Sequence, residues 1–355
     1  MRSDPVHANE RGRSGSADRH HALDLLRGLA ALAVSQYHFM TWNGVASVES
    51  MGTFAVYVFF VLSGLTMMMV YRGRFAQGVT PGQMRSFFRK RAARLLPLLA
   101  VVALLSAAKA AMTGTIDLSA AILTGTGLMA LHMPGFLSNS VGAWSLGIEM
   151  AFYAIFPIVA MLVASWRQAA LATIILLGAQ HLLLWKIANS APFWNYYVSN
   201  LIFAPFFALG LWISFDYRAR ASGYLPIAII GLSAILCFSL LIPVDLMRDH
   251  ASYLALTVGC GIVVWAAWRS VVPAILVPVA TILGDVSYSL YLTHWIANDL
   301  VRILHLPLAI HWLLFTAIAL IGSFLCFRLF ENPMRAWLGT TRSSPDKRSA
   351  IAALP

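Results

Sequence analysis

Residues 53–71 read TFAVYVFFVLSGLTMMMVY, a run without one charged residue, closed by Arg72 and Arg74. A helix of this length spans about 28 Å, close to the ~30 Å hydrocarbon core of a bilayer. Runs of the same kind fall at 24–42, 95–112, 143–165, 169–186, 198–215, 225–242, 252–268, 276–304 and 308–330. Across the 355 residues, hydrophobic types make up 59% and charged types 11%. The mean hydropathy is +0.75. A soluble chain carries about 25% charged residues, so a water-soluble globule is excluded, as are disorder, collagen and coiled coil. The fold class read from these runs is an all-α polytopic membrane protein of about ten transmembrane helices. The stretch 118–131 is too short to span and reads as a re-entrant or interfacial piece. The run at 276–304 is too long for one span. It reads as a segment ending at Gly284 followed by a helix starting near Asp285–Ser287, which are plausible N-cap residues.

Lys and Arg total 25 against 14 Asp and Glu, a formal charge of +11. In a soluble chain this would suggest nucleic acid; here the positive-inside rule accounts for it. The tail 1–21, the segment 72–94, the alternate loops with Arg167, Arg218, Arg220 and Arg269, and the C-terminal end hold 20 of the 25. The other side has Lys109, Lys186, Arg248 and Arg302. This bias places both termini in the cytoplasm and leaves a membrane domain at 22–336 between basic tails at 1–21 and 337–355. Cys237, Cys260 and Cys326 sit in apolar stretches with no CxxC partner, so neither a disulfide framework nor a metal site is expected.

Ionisable groups at membrane depth are costly and mark function. Arg27 and His38 share the first helix, about 16 Å apart along its axis, with Arg27 near the cytoplasmic face and His38 in the outer half. Glu149 and His294, on two further helices, fall in the same outer layer. Arg91 and Arg94 lie three apart on one helix face, at a depth similar to Arg27 and to Glu331, which is expected to pair with a nearby arginine. Guanidinium groups bind phosphate bidentately. The cluster at 72–94 fits either a lipid-headgroup loop or a site for a phosphate-rich cytosolic donor.

The motifs, in order, are Arg27-Gly28 with His38, Phe59-Phe60-Val61-Leu62-Ser63-Gly64, Arg91-Ala92-Ala93-Arg94, Trp144-Ser145-Leu146-Gly147-Ile148-Glu149, Ser287-Tyr288-Ser289-Leu290-Tyr291-Leu292-Thr293-His294, and Phe330-Glu331-Asn332-Pro333. Over residues 22–335 this set resembles acyltransferase family 3, bacterial integral-membrane enzymes that O-acylate exported and surface carbohydrates. The resemblance implies an acyl-coenzyme A donor, usually acetyl-CoA, on the cytosolic side, no metal, and a carbohydrate acceptor on the outer side. It implies a multi-pass protein of the bacterial inner membrane that works with lipid and not with nucleic acid. It makes Arg27 and His38 essential, suggests that Arg91 and Arg94 serve the donor, and puts Glu149 near the site; in the mechanism expected, Arg27 joins Arg91 and Arg94 in holding the phosphates of the donor.

The chemistry expected is proton removal from a hydroxyl by His38 as it attacks a thioester, with Glu149 orienting the imidazole or positioning the acceptor. A transient acyl-His38 is a variant of that scheme. Ser63, Ser145, Tyr291 and His294 are expected to line the acyl or acceptor route. The competing class is a secondary transporter with an intramembrane His/Glu relay, whose usual marks of inverted repeats and matching broken helices are not seen.

Overall fold

The computed structural model describes residues 19–46, 48–76, 78–131, 137–187, 199–241 and 250–339, and no β-strand occurs among them. The expected tails therefore lie outside the described residues over 1–18 and 340–355, as do His132 and Arg248. The helices are α1 (His21–Trp42), α2 (Glu49–Phe75), α3 (Pro81–Met112), α4 (Leu118–Thr126), α5 (Ala143–Leu162), α6 (Trp166–Ile187), α7 (Asn200–Ile213), α8 (Leu225–Leu241), α9 (His250–Arg269), α10 (Val277–Arg302), α11 (Leu308–Cys326) and α12 (Asn332–Gly339). A π-helical turn at Phe327–Glu331 joins the last two.

Among the described residues, six helices are long and apolar enough to cross a membrane: Glu49–Phe75, Pro81–Met112, Ala143–Leu162, Trp166–Lys186, Ala274–Arg302 and Leu308–Gly339. Three more, Asn200–Ile213, Ser222–Phe238 and Tyr253–Arg269, are apolar but shorter. α1 stands outside both groups and carries Asp24 and Arg27 in its first two turns. Large apolar side chains such as Leu104, Ile158, Ile174, Leu182 and Ile321 point outward, each more than half exposed. The polar groups of the motifs face inward. A bundle greasy outside and polar inside is solvated by lipid, and the chain is a multi-pass membrane protein.

The sequence explains two departures from the expected boundaries. The basic segment 72–94 is largely helical: α2 runs on to Phe75 and α3 starts at Pro81. Thr80 and Gln83 form a capping box, with Gln83 N donating to Thr80 Oγ1 at 3.3 Å and Thr80 N donating to Gln83 Oε1 at 2.9 Å. Pro81 at the first helical position lacks only an N–H that would go unpaired. Arg91 and Arg94 are thereby fixed on a rigid helix. The helix expected to begin at Asp285–Ser287, α10, instead runs unbroken from Val277. Gly284 is a contact point rather than a break, since a Cβ there would lie 2.5 Å from Asp24 Cβ. Asp285, expected to cap, instead accepts a hydrogen bond from Arg19 Nη2 at 2.8 Å. The stretch 118–131 forms the nine-residue α4 and a 3-10 turn, Leu128–Leu131, too short to span.

α1 packs along α10 and α2, α2 along α7, and α10 along α11. At the basic end, Asp216 after α7 accepts from Arg218 at 2.7 and 2.8 Å and from Trp265 Nε1 at 2.9 Å. The Arg218 guanidinium, with Trp265 and Arg269 in support, holds the Asp216 carboxyl well below the usual carboxylate range. α2 and α7 approach closely at a pair of glycines: a Cβ on Gly64 would lie 2.1 Å from the Phe207 carbonyl oxygen, and one on Gly210 2.1 Å from that of Val61. This contact seats Ser63, next to Gly64, within the bundle.

A Gly64→Ala substitution should therefore destabilise the protein by about 3 kcal/mol, the upper end of ordinary overpacking. Helix propensity alone would predict a gain of up to about 1 kcal/mol. Thermal unfolding in detergent micelles reads the sign directly.

Candidate functional site

The site begins with the parallel pair α1 and α10. A Cβ on Gly28 would lie 2.4 Å from Leu283 Cβ, so the helices nearly touch there. Ten residues further along α1 and eleven along α10, roughly 15 Å of rise, His38 meets His294. Their nitrogens Nδ1 and Nε2 are 2.8 Å apart. Beyond them, Asn43 Nδ2 donates to Asn298 Oδ1 at 3.2 Å.

The partners assign the tautomers. His294 Nδ1 lies 3.1 Å from the Leu290 carbonyl oxygen, which can only accept, so His294 carries its proton on Nδ1. In the neutral ring Nε2 is then an acceptor, and His38 Nδ1–H donates to it. His38 Nε2 is left with a free lone pair, the state a general base requires. Trp42, one turn beyond His38, stacks on both imidazoles at centroid distances of 4.9 and 5.7 Å, each 10° from parallel. The orienting group on His38 is thus His294, which is fully buried (0% exposed), and not Glu149.

Glu149 on α5 accepts hydrogen bonds from Ser63 Oγ on α2 and from the Tyr153 hydroxyl. It lines a small inner chamber of about 60 Å³ with Arg27, Ser63, Arg94, Ser145, Tyr153 and Tyr291. A second, outer chamber of about 330 Å³ is lined by Tyr37, His38, Glu49, Thr53, Gly142 and Tyr291 among others. A third, of about 350 Å³ at the basic end, is lined by Tyr71, Lys90, Arg91, Arg94, Arg335, Ala336 and Gly339. Arg94 belongs to the basic and inner chambers, and Tyr291 to the inner and outer ones.

Among the described residues, four cationic side chains and no carboxylate line the basic chamber. Arg91 is held there by the Tyr71 hydroxyl, to which its Nη2 donates at 3.2 Å. Its guanidinium also faces the Tyr71, Phe87 and Tyr153 rings at 5.3–5.9 Å, while its Nε is buried with no hydrogen-bond partner among the described residues. Four cations on one wall, with the Arg91 Nε unpaired among the described residues, can take a phosphate-bearing ligand. Glu331, expected to pair with an arginine, accepts from Ser289 Oγ at 2.6 Å and lies within electrostatic reach of Arg94 and Arg335. The π-helical turn carries it inward.

The structure thus gathers Arg27, Ser63, Ser145 and Glu149 in the inner chamber, with Tyr291 on the wall towards His38. His294 reaches the site through His38. Trp42, Tyr153 and Arg335 were not expected. The first two had a usable signal, since each lies four residues after a chosen site residue on its helix (His38 and Glu149) and so on the same face. Arg335 reaches Arg94 only through tertiary packing.

A polytopic bundle with titratable groups from separate helices around an internal cavity is a membrane-embedded site for chemistry on ligands. The chain matches the family described as an acyltransferase domain, Acyl_transf_3, over residues 20–328, and it belongs to that family: it is a membrane acyltransferase. Neither the curated proteins nor the solved structures contain a match.

The tautomer assignment has a spectroscopic signature. With 15N-labelled histidine, His38 should carry its proton on Nδ1 at neutral pH, and His294→Phe should shift it toward the Nε2–H form. An Nε2–H His38 in the unsubstituted protein would refute the assignment.

Proposed function

We propose that the protein is a membrane O-acyltransferase that moves an acyl group, acetyl in the simplest case, from cytosolic acyl-coenzyme A to a hydroxyl of an exported or cell-surface carbohydrate. In this reading ten helices cross the inner membrane of a bacterium: the six long spans, the three shorter apolar helices and α1. Both termini lie in the cytoplasm, on the side of the basic chamber. The observation that carries the reading is the succession of chambers. A cationic one, an inner one with Glu149 and an outer one with His38 are linked by shared wall residues Arg94 and Tyr291.

Lys90, Arg91, Arg94 and Arg335 hold the phosphates of the donor. The pantetheine arm then extends past Arg94 into the inner chamber, bringing the thioester towards Tyr291. Arg27 and Arg94 add positive charge beside the thioester oxygen, and Glu149, restrained by Ser63 and Tyr153, keeps these guanidinium groups in place. The acceptor hydroxyl enters the outer chamber and gives its proton to His38 Nε2 as its oxygen attacks the thioester carbonyl carbon. The C–S bond breaks, and the departing thiolate takes the proton from the imidazolium. His294 keeps the lone pair of Nε2 on His38 Nδ1–H throughout and orients the ring in both protonation states. The neutral partner holds the tautomer as a triad carboxylate does, without a second buried charge.

Two measurements on purified protein with labelled acetyl-CoA test this. His38→Ala should fold and lose transfer by about a thousandfold, within the range of general-base contributions; a folded variant with the normal rate removes His38 from the mechanism. Replacing Arg91 and Arg94 together by Gln should raise the donor KM at least tenfold, about 1.4 kcal/mol, with kcat less affected. If the pair changes only membrane insertion, the basic cluster serves lipid headgroups instead.

A further inference from the structure

The inner and outer chambers meet at two side chains. Tyr291 lines both, and Val56 is the other residue common to the two. Ser145 Oγ donates to the Gly142 carbonyl oxygen at 2.9 Å, so its lone pairs accept the Tyr291 hydroxyl at 2.7 Å. The same hydroxyl lies 3.3 Å from the Gly142 carbonyl oxygen. Ser145 lines the inner chamber and Gly142 the outer one, so this latch straddles the boundary. The ring is packed into place as well. Gly142 has φ +76°, and a Cβ there would lie 2.8 Å from Tyr291 Cε1. Phe59 meets the other side edge-on at 5.4 Å. Tyr291 itself is 5% exposed.

A base at the wall of a chamber as large as the outer one faces a hazard. The space holds several waters, and His38 deprotonates water as readily as an alcohol. If the thioester carbonyl stood open to that chamber, a water oxygen would attack it. The C–S bond would break, the thiolate would leave with the water's proton relayed by His38, and a free carboxylic acid would form in place of an ester. Enzymes that transfer groups in the presence of water exclude it until the acceptor is seated.

We infer that Tyr291, latched to Ser145 and Gly142, is the partition that keeps the thioester from the His38 chamber and so decides between transfer and hydrolysis. This rests on the donor and acceptor assignment above. The tyrosine swings aside when an acceptor fills the outer chamber, joining the two spaces only once water has been displaced.

The test uses the full chain in detergent micelles with acetyl-CoA and no carbohydrate, following free-thiol release and, separately, coenzyme A binding by calorimetry. Tyr291→Ala should release thiol at least tenfold faster than the unsubstituted chain, with coenzyme A affinity unchanged within twofold. Val56→Ala opens the same boundary from α2 without touching the latch, should change the rate in the same direction, and stands in if Tyr291→Ala does not fold. Tyr291→Phe keeps the ring but loses the latch and should fall between. Adding His38→Ala to Tyr291→Ala should return the rate to the unsubstituted level. A purely structural role would not produce a gain of reaction that depends on His38. Normal donor binding with unchanged hydrolysis in both Tyr291→Ala and Val56→Ala overturns the partition, as does hydrolysis that persists without His38. An unsubstituted chain that does not bind coenzyme A overturns the donor assignment itself, and the partition with it.

Discussion

The close approach of α1 and α10 sets the geometry on which the site depends. Gly28 lies against Leu283, and Gly284 against Asp24, at distances that exclude a Cβ on either glycine. Two helices that touch at one end and run parallel rise in step, so residues ten or eleven further along stay level. That is why His38 finds His294 and not another group. On α10, Gly284, Ser287, Tyr291, His294 and Asn298 follow one another at three- and four-residue spacing and form a single stripe. The levels of the stripe differ in what they do. Gly284 makes the helix contact, Ser287 lines the inner chamber, and Tyr291 stands at the boundary. His294 holds the His38 ring, and Asn298 pairs with Asn43 beyond them. A one-residue shift of α10 against α1 would turn the whole stripe away together.

Charge is distributed along this axis in a way that burial explains. Guanidinium and ammonium groups crowd the basic chamber, close to water. In the inner chamber the carboxylate of Glu149 is satisfied by two hydroxyls and shares the space with Arg27 and Arg94. At the His38–His294 pair the contact is between two rings whose tautomers make it a neutral hydrogen bond. Moving a lone carboxylate into such a position costs several kcal/mol, whereas a second imidazole holds the tautomer without that penalty. The exchange has a chemical consequence. In the proposed reaction a histidine partner would supply no negative charge to the imidazolium, so His38 would return its proton to the leaving thiolate more readily than a base backed by Asp or Glu.

Much of this was legible in the sequence, for reasons particular to membranes. Few ionisable residues survive at depth, so Arg27, His38, Glu149 and His294 stood out without any structural information, and the Lys/Arg bias ordered them by layer. Depth by itself did not give lateral position. Glu149 lies six residues into α5 and His38 four residues before the end of α1, nearly the same level by count. Yet Tyr291 stands between their chambers, and which side of a neighbouring helix a residue faces depends on packing that a span list does not contain. The misreading at Gly284 has a related cause. A glycine before Asp and Ser has the composition of a helix start, and only the approach of Asp24 shows that it marks a helix contact. The helical course of the basic segment was written in Thr80-Pro81-Gly82-Gln83, a capping signal overshadowed by the charges around it.

The differing ends of the axis also bear on the choice between transfer and transport. A carrier presents one solute with comparable chemistry on each side, because the same molecule must be bound and released at both. Here the basic chamber offers four cations without a carboxylate among the described residues, and the outer chamber offers His38, Tyr37, Thr53 and Glu49 beside aromatic rings. The space between them is the smallest of the three and is closed by a latched tyrosine. Two mouths of unlike chemistry suit two unlike ligands, one anionic and phosphate-bearing, one rich in hydroxyls. A narrow middle suits the part that passes between them, a short acyl group rather than a whole solute. The proton chemistry points the same way. A relay for ions needs a continuous series of groups that gain and lose protons along the path. The His38–His294 pair instead ends at the carbonyl of Leu290, an acceptor with no proton to pass on, which makes it a device for holding one base in one tautomer.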